Sequence, residues 1–391
     1  MLPAPEGVRL TPGTLTVRGD RIASITHAIE PGADLGGEDF LIAPGFIDTH
    51  VHLPQFDSIG IDGLELLDWL DTAIFPAEAR WADPTYAAEM STRVARELLS
   101  FGTVGVAAYA TVHNEATQAA IDALAREGLA GHVGQVLMDR NAPTELVRPA
   151  SESLAAAARL RPSGRIMPAV TPRFAITCSE ELLKGAGALA RETGWLVQTH
   201  LAETPREIGQ VARLYPGQTY TEVYDRAGLL TARTLVAHAV WLDEDDLATL
   251  RERGATVAHC PAANRFLGAG TMSRGRVLGS GVRMGLGSDV AGGPDRSMVR
   301  VARAMIEAAK ASGSPVPTGA EGWAQITHAN AALLGLEGGG SLAPGNSADV
   351  LVIRPTTRWL ESPNPLTHLI YAWDDRWLRA TIAAGEARWM A

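Results

Sequence analysis

Cysteine is almost missing from this 391-residue sequence: Cys178 and Cys260 are the only two. That excludes a disulfide framework and any cysteine-based zinc cluster, and both thiols are expected as small apolar residues of a reduced, cytoplasmic protein. Basic residues are also short. Lys plus Arg is 34 against 44 for Asp plus Glu, a formal net charge of −10, which argues against nucleic acid as a partner. No uncharged apolar stretch reaches the roughly 18 residues of a membrane helix. The longest greasy pieces, such as Thr103–Val112, are strand length, so no membrane partner is expected. The N-terminal stretch lacks the basic start and apolar run of a targeting peptide. What is present describes an ordinary globular chain: 46% hydrophobic and 20% charged residues, enough to build a sizeable core.

The head of the chain reads as short strands at Val8–Leu10, Thr14–Val17 and Arg21–Thr26, with Gly19-Asp20 turning between the last two. Strand-length apolar runs then recur at Phe40–Asp48, Val104–Ala110, Gly134–Met138, Ile166–Val170, Leu196–Thr199, Thr234–Ala237, Thr256–Ala258 and Val282–Leu286. Between them, Pro84–Ser100, Asn114–Arg126, Ser179–Glu192, Asp243–Arg253 and Asp295–Ala311 carry apolar residues at helical spacing. Nearly continuous apolar strands are those buried on both faces of a parallel sheet, and such strands alternating with helices predict a TIM-like (β/α)₈ barrel of the α/β class. After Gly338-Gly339-Gly340, read as a loose joint, strand character returns at Ala348–Ile353, Leu378–Ala383 and Ala387–Trp389. Residues 1–40 and 338–391 are therefore expected to form a composite β-sandwich around a catalytic barrel at 41–337.

Ten histidines are present, and their placement matters more than their number. In Asp48-Thr49-His50-Val51-His52, strand alternation aims His50 and His52 to one side, at the rim where barrel active sites lie. One such pair is equally the mark of two hydrogen-bonded structural histidines. But His200, His238 and Asp289 also fall at the ends of expected strands, and buried structural histidines have no reason to repeat that position. The repetition points to a metal site of imidazole and carboxylate without thiolate, suited to zinc, iron or another divalent first-row ion. Such an ion lowers the pKa of its water toward about 7. Glu203, three residues past His200, is placed for proton transfer or is a surface carboxylate near a helix start.

Several blocks carry a resemblance. His50-Val51-His52, His200 with Glu203, His238 and Gly287-Ser288-Asp289 resemble the amidohydrolase superfamily in its mononuclear aminohydrolase branch. Pro44–Gln55 (PGFIDTHVHLPQ), Phe75–Glu78 (FPAE), Thr171–Ser179 (TPRFAITCS), Gln198–Glu203 (QTHLAE), His259-Cys260-Pro261 and Gly285–Gly293 (GLGSDVAGG) are similar to the guanine deaminase family within it. The resemblance covers most of the barrel. It departs at a somewhat short head and at Pro261–Asn264.

The resemblance implies one divalent metal ion, zinc or iron, held by His50, His52, His200 and Asp289. It implies His238 beside the attacking hydroxide, Glu203 as proton shuttle, and Asp289 as acceptor of the water's proton. Gln55, Arg173 and Phe174 would hold the base, with His200, Glu203 and Asp289 also touching it. The implied reaction is hydrolysis of guanine at C2 by metal-activated hydroxide, giving xanthine and ammonia, in a cytoplasmic homodimer. Arg173 suits this chemistry, because a donor-only fork matches the O6 and N7 acceptors of guanine. The region after the fourth strand, Thr171-Pro172-Arg173-Phe174, has no lysine to bridge a second metal. The alternative kept open is a related enzyme deaminating or dechlorinating another N-heterocycle: cytosine, a different purine or a triazine. His113 and His259 lie near the rim without an assigned role.

Overall fold

The computed structural model describes residues 1–28, 30 and 32–391. The head pairs into two antiparallel hairpins: β1 (Leu2–Ala4), a strand not expected from its Leu-Pro-Ala sequence, with β2 (Gly7–Arg9), and β3 (Thr14–Arg18) with β4 (Arg21–Thr26). The next apolar run, expected as one strand over Phe40–Asp48, serves two sheets as β5 (Leu41–Pro44) and β6 (Phe46–His52). Gly45 marks the break. A Cβ there would lie 2.3 Å from Val104 Cγ2, so the chain crosses between sheets where a larger residue does not fit.

From β6 onward the barrel follows chain order: β7 (Thr103–Tyr109), β8 (Ala130–Leu137), β9 (Arg165–Pro172), β10 (Leu196–Leu201), β11 (Thr234–His238), β12 (Thr256–His259) and β13 (Arg283–Leu286). Among the described residues these form one eight-stranded parallel sheet. Several of these strands run further than expected, and β6, β10 and β11 carry His52, His200 and His238 within them rather than beyond them. The reason is burial: the polar residues closing these strands point into the barrel, where low hydropathy does not mean exposure.

No strand ladder joins β13 to β6 among the described residues. Asn330 bridges the seam. Its Nδ2 donates to the carbonyls of Ile47 (2.7 Å) and Leu286 (2.8 Å), and its Oδ1 accepts from Leu286 N (3.0 Å). Just above, Asp289 N donates to the His50 carbonyl at 2.8 Å and His52 N to Val290 at 3.1 Å.

The intervening helices follow their caps. Pro84–Ser100 starts from Asp83, whose carboxylate accepts from Thr85 N, and buries Val94, Ala95, Leu98 and Leu99 against the barrel. Glu180–Thr193 is capped by Ser179, and Glu244–Arg253 by a capping box at Asp243. The helix expected from Asp295 begins at Met298, after Ser297 in extended backbone. No helix among the described residues is long and apolar enough to cross a membrane.

The tail returns as β14 (Val350–Ile353), β15 (Leu378–Ala383) and β16 (Glu386–Met390). With β5 they make an antiparallel sheet ordered β16-β15-β14-β5. The β3–β4 hairpin packs on it through Ile22, Leu342, Ala348 and Val350. Arg165, at the start of β9, ties the barrel to this unit with a two-pronged pair to Asp349 at 2.7 and 2.9 Å. The glycine run at 338–340 is a packed turn rather than a loose joint. Gly340 has φ +64°, and a Cβ there would sit 2.6 Å from the Thr327 backbone.

Candidate active site at the barrel mouth

Alternation along β6 puts His50 and His52 on the inner face. There they meet His200 from β10, His238 from β11 and Asp289 from the turn after β13, all at 5% exposure or less except the half-buried His200. One ring nitrogen each of His50, His52 and His200 falls within a 4.8 Å cluster. His52 Nε2 lies 3.1 Å from His200 Nε2, and Asp289 Oδ1 lies 3.2 Å from His50 Nε2 and 3.4 Å from His52 Nε2. The Tyr109 ring packs beneath, 4.5–5.0 Å from those three imidazoles.

Neighbouring groups set the tautomers. His200 Nδ1 donates to the Arg173 carbonyl at 2.7 Å, and His238 Nδ1 to Asn264 Oδ1 at 2.9 Å. In a neutral ring each then keeps a lone pair on Nε2. Burial, reinforced by neighbouring imidazoles and the Arg173 guanidinium, holds His50, His52 and His200 well below the ordinary imidazole range. His50 Nε2, despite its 3.2 Å approach to Asp289, has no hydrogen-bond partner among the described residues. Neutral imidazole nitrogens and a carboxylate oxygen converging without hydrogens to share are what a divalent cation requires, so the donor set fits zinc or a similar ion. His50, His238 and Cys260 form a second close group. Burial, with Asp289, Asp48 and Glu203 nearby, pushes the Cys260 thiol well above its usual value and so disfavours the thiolate a metal needs.

The backbone is strained to deliver these groups. Ala202, His238, Ala239 and Asp289 have φ between +49° and +68°, unusual for residues with a side chain. Asp48 braces the turn: Oδ1 accepts from His50 N and Ser288 N at 3.0 Å, and Oδ2 from Ser288 Oγ at 2.5 Å.

Glu203 is buried, with Oε2 3.4 Å from His238 Nε2 and Oε1 without a partner among the described residues. Burial first, then Asp289 and Glu207, pushes its carboxyl well above the usual range. Glu203 faces a cavity of about 390 Å³ shared with His52, His200, His238 and Asp289. Gln55, Arg173 and Phe174 form another wall, and Leu66, Trp69, Leu70 and Leu267 also line the space. Each residue expected to touch metal or base lines this cavity except His50, which lies in the cluster beside it.

Residues 41–388 match the amidohydrolase family. The chain belongs to the amidohydrolase family. Within that family it is similar to guanine deaminases. The guanine deaminase of Dictyostelium discoideum is 37% identical over 279 residues, 69% of this chain and 62% of that protein. This chain thus spans somewhat less than two thirds of that relative's length. The solved guanine deaminase of E. coli superposes with a TM-score of 0.91 at 31% identity, covering 97% of this chain and 93% of that one. The C. acetobutylicum guanine deaminase, solved with guanine in its active site, gives 0.89 at 30% identity, covering 96% and 94%.

The amidohydrolase site has members that sequence reasoning did not assign. Asn264 orients His238. Glu207 accepts from the backbone N–H of Glu203 at 2.7 Å, and Tyr220 OH donates to it at 2.8 Å. Thr204-x-x-Glu207 is a legible capping box, and that signal could have found it. Glu78, quoted in the FPAE block without a role, sits against Arg173 and Gln55. Leu66, Trp69 and Leu70 recur at helical spacing and could have been read as one face of a covering helix. His113 and His259 do not line the cavity. His113 stands at the N-cap of Asn114–Arg126, and His259 is buried, with its pKa pulled down to about 3 by burial and by His238.

Proposed function

We propose that this chain catalyses the hydrolytic deamination of guanine to xanthine and ammonia. The observation that carries the reading is geometric: the buried Glu203 carboxyl, its pKa pushed up by burial, faces one cavity with Asp289 and the Arg173–Gln55 wall, beside a three-histidine cluster. The guanine-bound relative supports the choice of base.

In this reading His50, His52, His200 and Asp289 hold one divalent ion, zinc or iron, which when bound supplies Lewis acidity and lowers the pKa of water toward about 7. Arg173 donates to the base's O6 and N7 acceptors while Phe174 packs beside it. Glu203, whose hold on a proton is strengthened by burial, delivers it to N3 and makes C2 electrophilic. Asp289 takes the proton of the attacking water, and the Nε2 lone pair of His238 accepts a hydrogen bond from it. Asp289 then passes that proton to the amino group, the C2–N bond breaks to release ammonia, and the C2 hydroxyl proton goes back to Glu203 as the xanthine carbonyl forms. The catalytic barrel, expected at 41–337, supplies all of these residues; 1–40 and 338–391 are the supporting unit, which also takes in β5 (Leu41–Pro44), so the barrel itself starts after Gly45. A cytoplasmic homodimer belongs to the same proposal, supported by two buried free thiols and by the prevalence of two-fold oligomers.

The test is ammonia release from guanine, adenine, cytosine and a chlorinated triazine by metal-replete protein. Guanine is expected as the substrate. Turnover of another member with guanine inert would transfer the activity to that base.

A further inference from the structure

The helical run that opens over the cavity at Leu66 passes through Leu70–Ile74 and ends in Phe75–Ala79. Its last turn sets two side chains on Arg173. The Phe75 ring lies 5.3 Å from the guanidinium carbon, and both Glu78 oxygens accept from Arg173 Nη1 at 2.6 Å. Glu78 Oε1 also accepts from Gln55 Nε2 at 3.1 Å. All three polar side chains are 2% exposed, so one buried carboxylate holds both polar groups of the base-binding wall.

Each hold has a direction. An amide carries its donor and its acceptor on separate prongs. With Nε2 given to a carboxylate, Oε1 is the acceptor Gln55 keeps for the cavity it lines. Arg173, with Nη1 given to Glu78, keeps the N–H groups of Nη2 and Nε as donors. The Glu78 charge also cancels that of Arg173, so the wall offers donors without net charge and favours a neutral ligand.

We propose that Glu78 is a positioning residue that fixes this donor–acceptor order and thereby selects a ring lactam over an amidine. The inference rests on the functional reading above. In guanine, N1–H meets the Gln55 carbonyl while O6 meets Arg173. A 2,6-diaminopurine carries the same 2-amino group but presents a bare N1 and a 6-amino donor, so acceptor faces acceptor and donor faces donor. Buried groups left unpaired in this way are costly. Without the carboxylate, the Gln55 amide is free to turn over.

The experiment compares kcat and KM on guanine and 2,6-diaminopurine for the full chain, Glu78→Gln, Glu78→Asp and Gln55→Met, with Tm measured for each. In Glu78→Gln the KM for guanine rises about tenfold or more, kcat falls less than about threefold, and the guanine preference in kcat/KM drops at least about tenfold. Glu78→Asp, which keeps the charge and the acceptors, holds the preference within about threefold. Gln55→Met loses it as Glu78→Gln does, and stands in if Glu78→Gln fails to fold. An unchanged preference in Glu78→Gln or in Gln55→Met overturns the inference, since a merely structural carboxylate lowers both substrates alike. Wild-type protein inert toward guanine is a different result: it removes the functional reading, and the inference with it.

Discussion

Asn330 and Glu203 are both buried polar side chains of the barrel, and they are treated in opposite ways. Asn330, at the seam, has three backbone partners at 2.7–3.0 Å, and its Oδ1 also accepts from Gln325 Nε2 at 3.3 Å, so both of its prongs are satisfied within the fold. Glu203, at the mouth, has one oxygen without a partner among the described residues and the other 3.4 Å from an imidazole. A satisfied buried amide stabilises the fold, whereas buried groups left incomplete at the wall of a cavity are completed by a ligand. The same contrast separates Arg165, locked to Asp349 beneath the barrel, from the converging histidines above it.

The contrast breaks most readily at Glu203. Glu203→Gln is expected to cut turnover by about 10²–10⁴-fold, the usual worth of a positioned acid–base group, with Tm no lower than wild type. Steady-state ammonia release and thermal unfolding check both halves; a large loss of Tm would make Glu203 a structural residue. Asn330→Ala should do the reverse. Leaving the Ile47 and Leu286 groups unpaired is expected to cost about 3–5 kcal/mol in denaturant unfolding. Turnover per folded molecule should stay within about threefold.

A smaller effect sharpens the comparison. Because burial and neighbouring carboxylates raise Glu203, it keeps its proton where an ordinary glutamate has lost it, and it ceases to be a donor as pH rises past the raised value. A pH profile of kcat/KM should therefore fall on its alkaline side. That limb should be missing from the residual activity of Glu203→Gln.

How legible each region was follows from how local its signals are. His50 and His52 stand two apart on one strand, and strand alternation alone pairs them. The barrel was readable because doubly buried strands are apolar nearly throughout, and the helices because Asp83, Ser179 and Asp243 announce their starts. Strand ends were read short because His52, His200 and His238 are polar yet point inward. Glu78 meets Arg173 across 95 positions and Asn330 meets Ile47 across 283, so no window of sequence contains either pair. The split of the first apolar run at Gly45 was hidden for the same reason, since the side chain that excludes a Cβ there is Val104.

The most direct test of the account is metal stoichiometry. Elemental analysis and calorimetric titration of the chelated full chain, alongside His52→Ala and Asp289→Ala, should find one tightly bound divalent ion per wild-type chain. Each substitution should weaken that binding at least about tenfold, and turnover should return in step with the ion. No bound equivalent, a second equivalent at the same affinity, or full turnover in the presence of chelator would contradict it.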